Sequence, residues 1–326
     1  MTVCRICSTV AEHKLYAVRE MQLGTREEFV YFECRNCRCL QVRDIPANLA
    51  KHYPDHYGPF SPLCSNQDAF LERVAKKYAK RKIVNHRLGN KSLAGKLFEN
   101  TFGFGFIPYW LLKDGLNLSS DSKILDVGCG SGATLNQLRN LGFRHLLGID
   151  AFVPSGITHA NGIIVLKARL ESIDDCFDFI MLHHSFEHMA EPLQTLRKLN
   201  SLLKPEQYLL IRIPICSSYA WQHYGVNWCQ IDAPRHLFLH SIESMALLAG
   251  QAGFEISEIV YDSIGHQFMV SEQYAKDIPL YRGGSYVDAA ELFSKEEVEF
   301  YCAKAQELNQ QQLGDQACFY LRKRTS

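Results

Sequence analysis

The feature that most constrains this chain is a glycine-rich turn set between a strand and a helix. Residues 123–127 (Lys-Ile-Leu-Asp-Val) read as a buried strand. Asp126-Val127-Gly128-Cys129-Gly130-Ser131-Gly132 follows, and residues 133–141 read as a helix. Glycines let the backbone reverse sharply and let a ligand approach where a Cβ would block it. A second strand, 145–150, ends in Asp150, 20 residues beyond Gly130. In an open α/β sheet, ligands bind outside the carboxyl ends of the strands, where the strand order reverses. A carboxylate there accepts hydrogen bonds from vicinal ribose hydroxyls, so the predicted ligand contains a ribose.

Two cofactors fit, beside a tight turn with no ligand. Gly128, Gly130 and Ala133 satisfy the loose dinucleotide pattern G-x-G-x-x-A. A pyrophosphate on a helix N-terminus wants no negative charge nearby, and Asp126 opposes it. S-adenosylmethionine carries an ammonium, a sulfonium and a ribose, and no phosphate. Asp126 therefore favours S-adenosylmethionine over a nicotinamide dinucleotide.

Alternation continues to the end of the chain. Strands are predicted at 162–166, 177–183, 208–213, 255–261 and 318–323. Helices are predicted at 192–203 and 241–252, and from a capping box at Ser294 to Glu297 as far as 308. This pattern gives an α/β fold, a mostly parallel sheet with helices on both faces.

Ile124-Leu125-Asp126-Val127-Gly128-Cys129-Gly130-Ser131-Gly132 and Gly148-Ile149-Asp150 resemble the first two motifs of class I S-adenosylmethionine-dependent methyltransferases. Phe177-Asp178-Phe179-Ile180 with Phe186-Glu187-His188-Met189-Ala190-Glu191-Pro192 resembles the "EH…P" signature shared with ubiquinone-type O-methyltransferases. Leu203-Lys204-Pro205 resembles the turn before strand five, with Glu206-Gln207 in place of its glycines. The resemblance covers about residues 120–325. It implies a Rossmann-like seven-stranded sheet with the last strand antiparallel, and a cofactor held by Asp126, Gly128, Cys129, Gly130, Gly132 and Asp150. The family often places an acidic residue after strand three to meet the adenine; Lys167-Ala168-Arg169-Leu170-Glu171 stands here.

Ahead of this, Cys4-x-x-Cys7 and Cys34-x-x-Cys37 form two knuckles. Four thiolates at this spacing make a tetrahedral sulfur site, usually for zinc, with iron the other occupant considered. Such a site is structural, because four sulfur ligands leave no open position. It also supplies folding energy to a segment with a thin core. Neither knuckle has the glycine that often follows the second cysteine; Ser8 and Arg38 stand there, and Cys39 is an alternative to Cys37. The predicted organisation is a zinc-ribbon-like domain at 1–60, a basic helical connector at 61–118 and the methyltransferase domain at 119–326. A zinc ribbon before such a domain resembles bacterial enzymes that methylate sugars in glycan pathways, and Tyr53 to Tyr57 is similar to a tyrosine-rich stretch there.

Methyl transfer to a hydroxyl needs the acceptor near attack distance and its proton removed. Histidine is the natural base near neutral pH. His183 and His184 end the fourth strand, with His183 placed to touch the cofactor. His188 lies one turn on. His236 sits in Trp228-Cys229-Gln230-Ile231-Asp232-Ala233-Pro234-Arg235-His236-Leu237, a segment similar to one in uncharacterised methyltransferases encoded with glycan genes. His188, His236 and His184 are the candidate bases. Each also has a structural reading, as a packed or helix-fixing histidine. Arg235 is set either to bind an acidic acceptor group or to pair with Asp232. Trp221, Trp228 and Tyr224 are set either to stack on a sugar or to pack.

The expected activity is methyl transfer to a hydroxyl or carbon of a small molecule, a sugar nucleotide or glycan intermediate. An RNA methyltransferase is the second reading, because residues 73–96 hold nine Lys and Arg and no acidic residue. Equal counts, 35 Lys+Arg against 35 Asp+Glu, argue against a polyelectrolyte partner. A binding protein that kept the cofactor and lost the chemistry is the third. The chain has no apolar run long enough to span a bilayer and no secretory signal. Its 12 scattered cysteines suit a reducing cytoplasm rather than a disulfide framework.

Overall fold

The computed structural model describes residues 1–53, 70–88, 92–105, 107–287 and 291–324. The 60/61 boundary, Tyr57 and Lys91 lie outside them. The chain forms two compact units, both discontinuous in sequence. The architecture is α/β, with a large mixed sheet.

One unit takes Asp55–His183, Lys198–Leu210 and Arg322–Ser326. Its strands Lys123–Val127, His145–Asp150, Ile164–Lys167 and Phe177–His183 are parallel neighbours. The chain steps outward from the first to the second and third, then returns to place Phe177–His183 on the other side of the first. The order therefore reverses at Lys123–Val127, the strand that leads into the glycine turn. Ile124, Leu125, Phe179, Ile180, Met181 and Leu182 are all buried. Such unbroken apolar runs belong to parallel strands covered on both faces.

The predicted strand at 162–166 lies at Ile164–Lys167. The sheet has eight strands among the described residues where the sequence predicts seven. The addition is Ile157–Thr158, which folds back antiparallel on Ile164–Lys167. Two residues with no apolar alternation give no strand signal of their own.

Helix Ala133–Leu141 buries Leu135, Leu138 and Leu141 and stops at Gly142, whose φ of 111° only glycine adopts readily. The connector region forms helices Phe70–Leu88 and Leu93–Phe102. Ser92 caps the second by accepting from the Gly95 amide.

The other unit takes Met1–Pro54, His184–Arg197 and Ile211–Leu321. An antiparallel meander, Lys14–Arg19, Glu28–Glu33 and Leu40–Val42, is extended at its edge by Phe238–Leu239. Helix Ile242–Gln251 starts at a capping box on Ser241, and helix Lys295–Gln310 starts at the predicted one on Ser294 and Glu297. Strands Phe254–Tyr261 and Gln316–Lys323 lie within a residue or two of their predicted positions.

Candidate active site and cysteine cluster

The glycine turn holds three left-handed residues, Gly128 (φ 74°), Gly130 (φ 54°) and Gly132 (φ 86°). The amides of Gly128 and Cys129 both donate to the Ile149 carbonyl, at 2.8 and 3.2 Å. A Cβ on Gly148 would meet Cys129 Sγ at 2.5 Å. The turn is therefore pressed onto the second strand, and glycine is required on both surfaces.

Asp150 accepts from the Gly130 amide (2.9 Å) and from the Phe152 amide (2.8 Å), one on each oxygen. This fixes the carboxylate rigidly below the turn. Asp126 is only 2% exposed. Burial first, and then the Asp150 carboxylate, push its carboxyl up to about 8. Burial and the same two acids also raise the Cys129 thiol. His183 ends its strand with its ring 4.9 Å from that of Trp110. Sequence reasoning passed over His159, whose Nε2 lies 2.8 Å from the Ser131 carbonyl inside the turn. Nothing local marks it, since it reaches the turn only through the sheet.

The four knuckle cysteines converge. Cys4 Sγ lies 3.6 Å from Cys37 Sγ, and Cys7 Sγ lies 3.5 Å from Cys34 Sγ. All four sulfurs fall within 4.8 Å of one another. A tetrahedron with metal–sulfur bonds of about 2.3 Å has edges of about 3.8 Å, so the group can hold a metal ion. The two knuckles share one backbone pattern. The Ser8 amide donates to the Cys4 carbonyl at 2.9 Å, and the Arg38 amide to the Cys34 carbonyl at 3.0 Å. Ser8 and Arg38 sit at φ 58° and 59°, which explains why glycine often stands there. The hydrogen bond between Cys37 and Cys4 pulls the Cys4 thiol down to about 4 and pushes Cys37 up. Cys39 is outside the group; its thiol donates to the Leu239 carbonyl at 3.4 Å.

A third group gathers around Glu187, within the unit that holds the cysteines. Glu187 is 0% exposed. His184 Nδ1 lies 3.6 Å and His236 Nε2 3.8 Å from its Oε1. The rings of His188 and His236 meet edge to face at 4.8 Å. The structure thus brings the three candidate bases together around a carboxylate that the sequence reading left unassigned. Their segments, 184–188 and 236, are too far apart in the chain for spacing to reveal it.

The rings differ in what they can do. His184 Nε2 accepts from Arg212 Nη1 at 3.0 Å, and Arg212 is paired with Asp262. His236 Nδ1 lies 2.7 Å from the Gln230 carbonyl, and His188 Nδ1 lies 2.8 Å from that of Arg235. A carbonyl only accepts, so both Nδ1 atoms carry hydrogen. Burial and then the His188 ring hold His236 down, to about 4. At neutral pH His236 therefore turns a lone pair toward Glu187. Burial works against ionising Glu187; His184, His236 and His188 outweigh it and hold it down, to about 2. Because His236 is uncharged near pH 7, we assign it no ion-pair role there.

Three further residues resolve toward packing. Arg235 is 0% exposed; its guanidinium donates to Asp232, Glu20 and the His52 carbonyl. Trp228 Nε1 donates to Asp315 at 2.8 Å, and the Tyr224 hydroxyl donates to Glu272 at 3.0 Å. Trp221 differs, because it lines an open cavity of about 490 Å³ with Tyr16, Arg38 and Glu243.

Residues 100–259 match the family described as a methyltransferase domain. The matched segment contains the glycine turn and both of its acids. The chain is a methyltransferase. The match starts downstream of the cysteine knuckles. Among solved structures, the methyltransferase is similar to a SAM-dependent methyltransferase from Archaeoglobus fulgidus, at 20% identity over 70% of this chain and 99% of that one, with a TM-score of 0.39. It is also similar to mycolic acid cyclopropane synthase CmaA1 complexed with SAH, at 18% identity over 62% and 78%, with a TM-score of 0.39. No curated protein matches it. Among the described residues no helix of the methyltransferase is long and apolar enough to cross a membrane.

Proposed function

We propose that this methyltransferase methylates a hydroxyl or carbon of a small molecule, a sugar nucleotide or glycan intermediate. S-adenosylmethionine supplies an electrophilic methyl on a sulfonium. The observation that carries the cofactor assignment is Asp126, a buried carboxylate beside a second carboxylate at a turn of left-handed glycines. Such a place suits a cation and repels a phosphate. In this reading Asp126 meets the methionine ammonium, residues 128–132 with Cys129 line its path, and Asp150 holds the ribose. His183, at its strand's end, packs against the cofactor.

On the acceptor side, the group around Glu187 takes the hydroxyl proton, through His188 or His236. His184 is the third candidate, and its engaged Nε2 ranks it behind them. Tyr16 and Trp221 in the cavity offer the aromatic faces that sugar rings stack on. The knuckle cysteines hold a structural zinc and define a zinc-ribbon-like domain at 1–60, ahead of the connector at 61–118 and the catalytic domain at 119–326. The last strand, Gln316–Lys323, runs antiparallel. None of the eleven described cysteines is in a disulfide, which suits a cytoplasmic location.

The test is titration with S-adenosylhomocysteine by calorimetry, wild type against Asp150→Ala. Asp150→Ala is expected to lose at least about tenfold in affinity, given charge-assisted bonds of about 1.5–3 kcal/mol, with an unchanged circular dichroism spectrum. Unaltered affinity would remove Asp150 from the site. Product formation from sugar nucleotides, followed by mass spectrometry, tests the acceptor class.

A further inference from the structure

We propose that Glu187, His188 and His236 form a second metal site, for one divalent first-row transition-metal ion, separate from the cysteine group. One ligand atom from each of the three lies within 4.8 Å of the others. Glu187 is fully buried, and neither of its carboxylate oxygens has a hydrogen-bond partner among the described residues. A buried, unpartnered carboxylate is costly unless a cation meets it.

His184 alone turns an N–H toward this carboxylate, its Nδ1 lying 3.6 Å from Oε1, beyond hydrogen-bond length; the His236 and His188 rings turn none. His236 commits its N–H to the Gln230 carbonyl at 2.7 Å, and its other nitrogen faces Glu187 Oε1 at 3.8 Å. Acceptor therefore faces acceptor. His188 likewise commits its Nδ1 hydrogen to the Arg235 carbonyl at 2.8 Å, with the Tyr53 hydroxyl 3.1 Å from the same nitrogen, which leaves Nε2 as its ligand atom. A backbone carbonyl on the far nitrogen is the outer-sphere contact that fixes the tautomer and aims the lone pair of a metal-bound histidine. His184 is not a ligand: its Nε2 accepts from Arg212, so the Nδ1 that faces Glu187 carries a hydrogen and no lone pair.

Metal–nitrogen and metal–oxygen bonds of about 2.0–2.2 Å require the three groups to close in by about 1 Å or less. Two imidazoles and one carboxylate select a zinc-, cobalt-, iron- or manganese-type ion over calcium or magnesium. Three protein ligands leave open positions, unlike the closed four-sulfur group. An ion held there takes the lone pairs that His188 and His236 would use as bases, so any part it plays in catalysis replaces that proton transfer and rests on the methyl-transfer reading above; binding of the ion does not.

The experiment loads purified protein with Co²⁺, removes free ion by desalting and counts all bound metal by elemental mass spectrometry. Wild type is compared with Glu187→Gln and His236→Gln. Wild type is expected to hold one ion per chain more than either variant, while the intense visible bands of any cobalt bound to thiolate persist in all three. Equal counts in wild type and both variants overturn the site. S-adenosylhomocysteine titration of the same samples separates the two ideas. Retained binding with equal counts sinks the metal alone. Absent binding in wild type sinks the cofactor reading whatever the counts.

Discussion

At Asp126, burial sets a pH dependence that can be signed. An unfolded aspartate ionises near pH 4, and this one is pushed up to about 8. Between those values the folded chain binds more protons than the unfolded chain, so this group's contribution to stability falls as pH rises through that window. An ammonium placed against Asp126 reverses its preference. Binding of S-adenosylhomocysteine should therefore expel a proton near neutrality and tighten as the pH is raised toward about 8. Calorimetry in buffers of different ionisation enthalpy reads the released proton directly. Asp126→Asn should abolish that release and weaken binding by about tenfold or more; a variant that still released the proton would assign it elsewhere. Arg235 makes a second residue-scale case. The sequence offered a phosphate-binding role and a pairing with Asp232, and spacing could not choose between them. Complete burial against Asp232 and Glu20 decides it. Removing one member of such a group leaves an uncompensated buried charge, so Arg235→Ala should cost about 3–5 kcal/mol in urea unfolding.

Secondary elements were the most legible part of the chain. The strands Lys123–Val127, His145–Asp150 and Phe177–His183 and the helix Ala133–Leu141 lie where apolar runs and glycine stops put them. Each signal is local, and each element is buried by its own side chains. Ile157–Thr158 and Phe238–Leu239 were not legible, because a two-residue strand is made by its partner rather than by its own pattern. The fit between elements yields two predictions. Gly148→Ala drives a Cβ to within 2.5 Å of Cys129 Sγ, so it should cost about 1–3 kcal/mol and weaken S-adenosylhomocysteine binding by loosening the turn. Thermal unfolding and calorimetry on the same sample check both, and an unshifted Tm would show that the turn yields freely. For the knuckles, Cys37→Ser should release the metal and cost about 4 kcal/mol or more, read as a lower Tm together with the loss of one ion. A Tm that fell without loss of metal would place Cys37 outside the ligand set.

For the whole molecule, the sequence reads as beads in order, whereas each compact unit is assembled from separated stretches. The cysteine region shows why. Its meander takes Phe238–Leu239 as an edge strand, the Tyr31 hydroxyl donates to the His236 carbonyl at 2.8 Å, and Glu20 reaches Arg235. Hydrophobic periodicity reports which face of an element is buried. It does not report which distant element covers that face. The Glu187 group stayed hidden for the same reason, since its members matter only once residues 187–188 and 236 meet.

The edge strand at Phe238–Leu239 also bears on how the protein is made. Cys39 donates to a carbonyl 200 residues further along the chain. At about 5–20 residues per second of synthesis, the first knuckles wait roughly 10–40 s for the segment that closes their sheet. During that interval the nascent thiols stand without their cover, open to oxidants and to competing metals. Early metal capture by the two knuckles would then serve as a placeholder on the ribosome, keeping four sulfurs reduced until translation delivers the rest of their unit.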